Sequence, residues 1–76
     1  MSWVYVFLST EPSQMENVLE KIREIEGVEE AYMVYGNYDI CIKAKGKITK
    51  ELKKIVQNIR VQDNVRTPLT LMVVKE

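Results

Sequence analysis

Ala31-Tyr32-Met33-Val34-Tyr35-Gly36-Asn37-Tyr38-Asp39-Ile40-Cys41-Ile42-Lys43-Ala44 is the stretch on which the fold turns. Val28 to Tyr35 is rich in aromatic and β-branched residues and reads as a strand. Asp39 to Ala44 alternates, with Ile40, Ile42 and Ala44 on one face and Cys41 and Lys43 on the other. Gly36-Asn37 between them is turn chemistry, because glycine and asparagine both tolerate positive φ. Two strands with only a turn between them form a hairpin, and this hairpin sits at the middle of the chain.

The same pattern appears on both sides of it. Upstream, Met15, Val18, Leu19, Ile22 and Ile25 recur at helical spacing with charges between them. Pro12 suits a first helical turn, Ser13 and Glu16 have capping-box spacing, and Gly27 stands where a left-handed C-terminal cap belongs. Before that helix, Trp3 to Leu8 is apolar at both parities and reads as a strand covered on both faces. Downstream, Lys45-Gly46-Lys47 interrupts the alternation. Ile48, Leu52, Ile55, Val56 and Ile59 then mark a second amphipathic helix, capped near Thr49. Gln62-Asp63-Asn64 is a loop, and Thr67 to Val74 a closing strand whose Pro68 predicts an edge position. Glu26-Gly27-Val28 and Asp63-Asn64-Val65 echo each other at the two helix exits.

The order β-α-β-β-α-β predicts an α+β, ferredoxin-like fold: a four-stranded antiparallel sheet with two helices on one face, from right-handed crossovers. The chain of 76 residues reads as one domain, residues 1–76, with no linker or low-complexity tract. Helices cover one side of such a sheet only. The other side carries an apolar row from the first strand (Trp3, Tyr5, Phe7 or Val4, Val6, Leu8) and one from the last (Leu69, Leu71, Val73 or Thr70, Met72, Val74). Rows of that size predict a homodimer that buries its open faces.

Eleven basic and eleven acidic side chains cancel, so the electrostatic footprint of a nucleic-acid binder is missing. The sequence has no histidine, which excludes Ser-His-Asp and Cys-His hydrolysis and ordinary His-ligated metal sites. We expect no cofactor and no metal. A single cysteine, Cys41, excludes an internal disulfide and suits a reducing compartment, where it fills space in the sheet. Neither a membrane-spanning run nor a signal-peptide pattern is present, which predicts a cytoplasmic protein. The aromatic row Trp3, Tyr5 and Phe7 invites comparison with base-stacking sheets, but Ile40-Cys41-Ile42-Lys43 does not supply the basic, aromatic central strand that those need. The lysines from Lys43 to Lys54 read as a solvated helix face.

Several motifs carry a family resemblance. Val34-Tyr35-Gly36-Asn37-Tyr38-Asp39-Ile40 resembles the V-x-G-x-Y-D turn of the Lrp/AsnC effector domain, also called the RAM domain. Glu26-Gly27-Val28 resembles that family's helix exit, and Val65-Arg66-Thr67 with Thr70 to Val74 its closing strand. Tyr35, Pro68 and Leu69 depart from the usual pattern. The resemblance implies a stand-alone effector domain without the helix-turn-helix of full-length regulators. It implies an amino acid or similar effector bound where dimers meet in a larger ring, commonly an octamer. It also implies an effect on transcription that is indirect, by sensing or by co-assembly with full-length Lrp/AsnC regulators.

The implied site comprises Tyr35, Gly36, Asn37, Tyr38, Asp39, Thr67 and Thr70. An amino acid needs an acceptor for its ammonium, which Asp39 supplies, and donors for its carboxylate. The backbone N–H groups at Gly36-Asn37-Tyr38 form such a nest. Thr67 and Thr70 add hydroxyls, and Tyr35 or Tyr38 walls the pocket. Structural roles compete for each: Asp39 can bond the hairpin's own backbone, the threonines can be strand residues, and the tyrosines can be packing or interface residues. An enzyme on a dimeric ferredoxin-like scaffold, such as a cofactor-free monooxygenase or isomerase, is the alternative function, since the fold alone does not decide between them.

Overall fold

Alternating apolar residues make the strands, and the structure, a computed structural model, places them as the pattern requires. It describes the backbone of residues 2–75, and the side chains of all of these except Thr67, Pro68 and Lys75. Strand β1 covers Ser2–Thr10, followed by a single 3₁₀ turn at Pro12–Gln14 and helix α1 at Met15–Arg23. Strands β2 (Val28–Met33) and β3 (Ile40–Gly46) make the central hairpin, and helix α2 (Thr49–Arg60) leads to β4 (Val65–Lys75). The sheet is antiparallel in the order β2-β3-β1-β4, so β2 and β4 are its edges. This is the expected ferredoxin-like α+β arrangement.

One parity of each strand meets the helices. Val4, Val6 and Leu8 of β1, Ile40, Ile42 and Ala44 of β3, and Ala31 of β2 are buried. They pack against Val18, Leu19 and Ile22 of α1 and Leu52, Ile55, Val56 and Ile59 of α2. Helix α1 lies over β2, and α2 over β1, β3 and β4. The buried parity continues to Thr10, whose hydroxyl has no hydrogen-bond partner among the described residues.

Element ends depart from the expected ones for local reasons. The Ser13–Glu16 capping box does not form. Proline favours the tight turn at Pro12–Gln14, and α1 starts at Met15 with no side-chain cap. Thr49 is not a cap either: Ile48 holds that position, and Glu51 reaches back to accept the Lys47 N–H at 2.9 Å. Helix α1 ends at Arg23, so Gly27 (φ +97°) belongs to the turn that enters β2. Asn64 (φ +69°) repeats that geometry before β4. A Cβ at Gly27 would run into the Ile55 side chain. Strand β2 stops at Met33 rather than Tyr35, while β3 continues through Lys45 and Gly46, and β4 begins at Val65.

Strand β4 is an edge, as Pro68 predicts. Between the pairs Phe7–Thr70 and Ser9–Arg66 its register shifts, β4 spending four residues where β1 spends two. Pro68 falls inside that irregularity, where a missing N–H costs no ladder bond. At the opposite edge, Arg23 donates from Nε (3.0 Å) and Nη2 (2.7 Å) to the carbonyl of Ala31 and occupies an acceptor of β2.

Candidate functional site

Residues 34–39, between β2 and β3, have no regular structure, yet both ends are tied down. Val34 N–H donates to the Asp39 carbonyl at 2.9 Å, closing the loop, and Asp39 N–H donates to the Leu8 carbonyl at 2.9 Å. The Asp39 carboxylate, through Oδ2, accepts the Thr10 N–H at 2.9 Å. The Ser9 hydroxyl donates to the Asn37 carbonyl at 3.4 Å. The loop is thus docked on the C-terminal end of β1. Asp39, the residue most expected to meet a ligand, also holds the scaffold.

Between those anchors the backbone is free. Gly36 has φ +126° and no atom within 4 Å of where a Cβ would stand, so the turn needs glycine for its conformation and not for room. No backbone N–H of residues 35–38 donates to a described backbone carbonyl. These are the donors that a bound carboxylate would use.

The predicted residues divide into two groups. Tyr38 turns back onto the open sheet face, its ring 5.9 Å from that of Phe7, and its hydroxyl shares a hydrogen bond with the Thr70 hydroxyl on β4. Tyr38, Asp39 and Thr70 are therefore gathered around the end of β1, together with Gly36 and Asn37. Tyr35 is apart from them and fully exposed at 104%. The Thr67 side chain lies outside the described residues. Sequence reading missed Ser9 and Thr10, the β1 residues that receive the loop. Their only local signal is the polar end of an otherwise apolar strand.

The open face bears the aromatic row. Trp3, Tyr5 and Phe7 stand opposite Val74, Met72 and Thr70 of β4 and opposite Lys45, Lys43 and Cys41 of β3. The ammonium groups of Lys43 and Lys45 each lie 5.6 Å from the Trp3 ring centre, a favourable position over its negative face. Tyr32 donates its hydroxyl to Glu30 Oε2 at 3.0 Å; that bond and the carboxylate charge raise the phenol's pKa. Burial raises the pKa of the Cys41 thiol, and Glu30 adds to the effect. Met72 (57% exposed) and Val74 (38%) complete an uncovered apolar surface.

A separate groove of about 600 Å³ runs between α2 and β4, with Val4, Leu52 and Val56 in its floor and Leu71 and Val73 in its wall. Among the described residues, none of the predicted ligand residues lines it. Among the described residues no group of three or more carboxylates or thiols is placed to hold a metal, and no helix is long and apolar enough to cross a membrane.

Comparison with known proteins shows the family. A family model described as the Lrp/AsnC ligand binding domain matches residues 3–76. Homocitrate synthases of Saccharolobus islandicus and Sulfolobus acidocaldarius are 37% identical over 60 residues, 79% of this chain. The chain spans only 13% of the length of those enzymes. Among solved structures, a hypothetical protein from Pyrococcus horikoshii has a TM-score of 0.90 and 27% identity, over 100% of this chain and 92% of its own. A feast or famine regulatory protein from M. tuberculosis, crystallised with L-methionine, has a TM-score of 0.75 and 27% identity. That match takes in 95% of this chain and 50% of the regulator.

Proposed function

Because this chain belongs to the Lrp/AsnC ligand-binding domain family, we propose that it binds an amino acid at the β2–β3 loop and acts through assembly with other chains. The observation that carries this reading is the L-methionine complex of the M. tuberculosis regulatory protein, half of which matches this chain in fold at 27% identity. The loop supports it chemically. The unengaged N–H groups of residues 35–38 suit a carboxylate. A carboxylate side chain offers about four acceptor positions. Asp39 therefore holds Thr10 with one of them and has others for the ligand's ammonium. Tyr38 and Thr70 close one side, and Thr67 belongs to the same proposed site.

Assembly follows from the open face. Trp3, Tyr5, Phe7, Met72 and Val74 form a surface that a second copy covers, giving a homodimer, and dimers associate further into a ring, an octamer in the fullest form. The output on transcription is indirect, through co-assembly with full-length Lrp/AsnC regulators in the cytoplasm. The homocitrate synthases favour a second output. A module 37% identical to this one over 60 residues lies within an enzyme, so the effector signal of this chain can equally be passed to a metabolic enzyme.

A thermal-shift screen against the twenty amino acids at millimolar concentration tests the reading. A ligand at 100 times its Kd stabilises the native state by about 2.7 kcal/mol, several degrees for a domain of this size. We expect a shift with one or a few amino acids, methionine included in the screen. We expect it to disappear in Asp39→Asn, which keeps an acceptor for Thr10 and removes the charge. No shift with any of the twenty would end the sensor reading.

A further inference from the structure

Residues directly opposite in an antiparallel pair share a face of the sheet, so the register shows what else surrounds the β2–β3 loop. Arg66 pairs with Ser9, whose hydroxyl holds the Asn37 carbonyl of the loop. Thr70 pairs with Phe7, beside which the Tyr38 ring lies. All four paired residues are on the open face, and the loop crosses β1 from the β3 side to bring Tyr38 to Thr70. Arg66 and Thr70 therefore stand at the two ends of the β4 register slip, both beside the loop. Irregularities of this kind recur next to binding sites, where they re-aim side chains.

Arg66 is the basic side chain at this end of the face. Residues 34–41, 9–11 and 65–70 contain no other lysine or arginine, and Lys43 and Lys45 lie at the opposite end, over Trp3. The Arg66 side chain is 57% exposed, and among the described residues its one polar partner is Glu11, Nη2 to Oε2 at 3.0 Å. A guanidinium has five N–H donors, and a single carboxylate engages at most two of them in a fork, so donors remain for a second anion. Glu11 itself is drawn away from the loop: its N–H donates to the Asn64 carbonyl at 3.1 Å, and its carbonyl accepts the Gln14 N–H at 2.9 Å. Asp39, at the entry to β3, and Arg66, on β4, flank β1, so their backbones are about 10 Å apart at the usual strand spacing. An amino acid with a second carboxylate extends about 5–6 Å from its ammonium nitrogen to that group. A hydrogen bond of about 2.9 Å at each end brings its reach to about 11 Å, enough to bridge the two residues.

We infer, resting on the loop site proposed above, that the effector is a dicarboxylic amino acid and that Arg66 is the residue that selects it. The ammonium group meets Asp39, the α-carboxylate meets the N–H groups of residues 35–38, and the distal carboxylate takes the free donors of Arg66. Charge then sorts the ligands. A distal carboxylate forms a charge-assisted bond, roughly twice as strong as the bond that a neutral amide of the same length can make. An apolar side chain leaves Arg66 with Glu11 alone and gains nothing from it. A basic side chain meets a like charge.

Calorimetric titration of the full chain with L-glutamate, L-aspartate, L-glutamine and L-methionine provides the test. Wild-type protein binds L-glutamate at least about tenfold more tightly than L-glutamine, which matches it in length and lacks the distal charge. That comparison needs no variant, so it stands even if a substitution unfolds the chain. Arg66→Gln brings the two dissociation constants within about twofold of each other, whereas Arg66→Lys, which keeps the charge, retains a preference for glutamate. Asp39→Asn weakens both ligands. An ion pair that only braces β4 would change both ligands alike, so an unaltered glutamate-to-glutamine ratio in folded Arg66→Gln overturns the role of Arg66. Wild-type protein that binds glutamine or methionine at least as tightly as glutamate overturns the dicarboxylic assignment and leaves the loop site standing. Absence of binding by all twenty amino acids removes the loop site itself, and the assignment with it.

Discussion

The two faces of the sheet are built from the same strands and have opposite fates. On the helix side, Val4, Val6, Leu8, Ile40, Ile42 and Ala44 are all within 1% of full burial. One residue along, the other side shows Trp3, Tyr5, Phe7, Cys41, Met72 and Val74, partly or largely open. Apolar content alone does not separate them, although the open face also carries Lys43 and Lys45. What separates them is that two crossovers of one hand can cover only one face. The covered face is the folding core, and the open one stays exposed on the single chain.

Three substitutions and one labelling experiment test this contrast. Ile42→Ala, at the centre of the covered face, should cost about 2–5 kcal/mol, the usual range for emptying a buried isoleucine. Urea unfolding would show it, and a loss under 1 kcal/mol would mean that the core is looser than its burial implies. Tyr5→Glu, one parity away, should leave the fold in place and weaken the dimer at least tenfold, about 1.4 kcal/mol. Light scattering at equal concentration would detect it, and an unchanged mass would remove the open face from the interface. Arg23→Ala, which frees the Ala31 carbonyl on the β2 edge, should cost about 1 kcal/mol for the lost charge-assisted bonds at a part-exposed site. Thermal unfolding and light scattering together would also show whether the bared edge promotes association. The smallest effect is at Cys41. Its thiol pKa is raised by burial and by Glu30, so less of it is thiolate at a given pH. Alkylation of the folded protein between neutral pH and the ordinary thiol range should be slower than in urea, and slower still once assembled. A folded rate equal to the unfolded one would contradict the partial burial.

The candidate site was legible in parts. Gly36-Asn37 declares a turn in any context, and Tyr38-Asp39 beside it completes a motif. That Asp39 would spend an oxygen on Thr10 was not legible, because the partners are 29 residues apart and meet only through the β1–β3 register. Tyr38 and Thr70 are 32 apart and meet only because the loop that leads into β3 is docked on β1, which pairs with β4 on its other side. Tyr35 looked equivalent to Tyr38 in the sequence. Once β2 ended at Met33, the loop carried one ring back to the sheet and the other out to water.

By itself the sequence determined the six main elements, their order, and the stripes of the two helices and of β3 that enter the core, since strand and helix periods are local and each apolar stripe has to be buried somewhere. It also determined the excluded chemistries, because a chain without histidine cannot supply one. The tertiary structure alone decided which parity of β1 faces the helices, where β4 slips its register, and what receives the hairpin loop. The physical reason is the same for all three: each depends on which distant strands are neighbours, and neighbourhood in a sheet is set by pairing and crossover handedness, which no local window of residues contains.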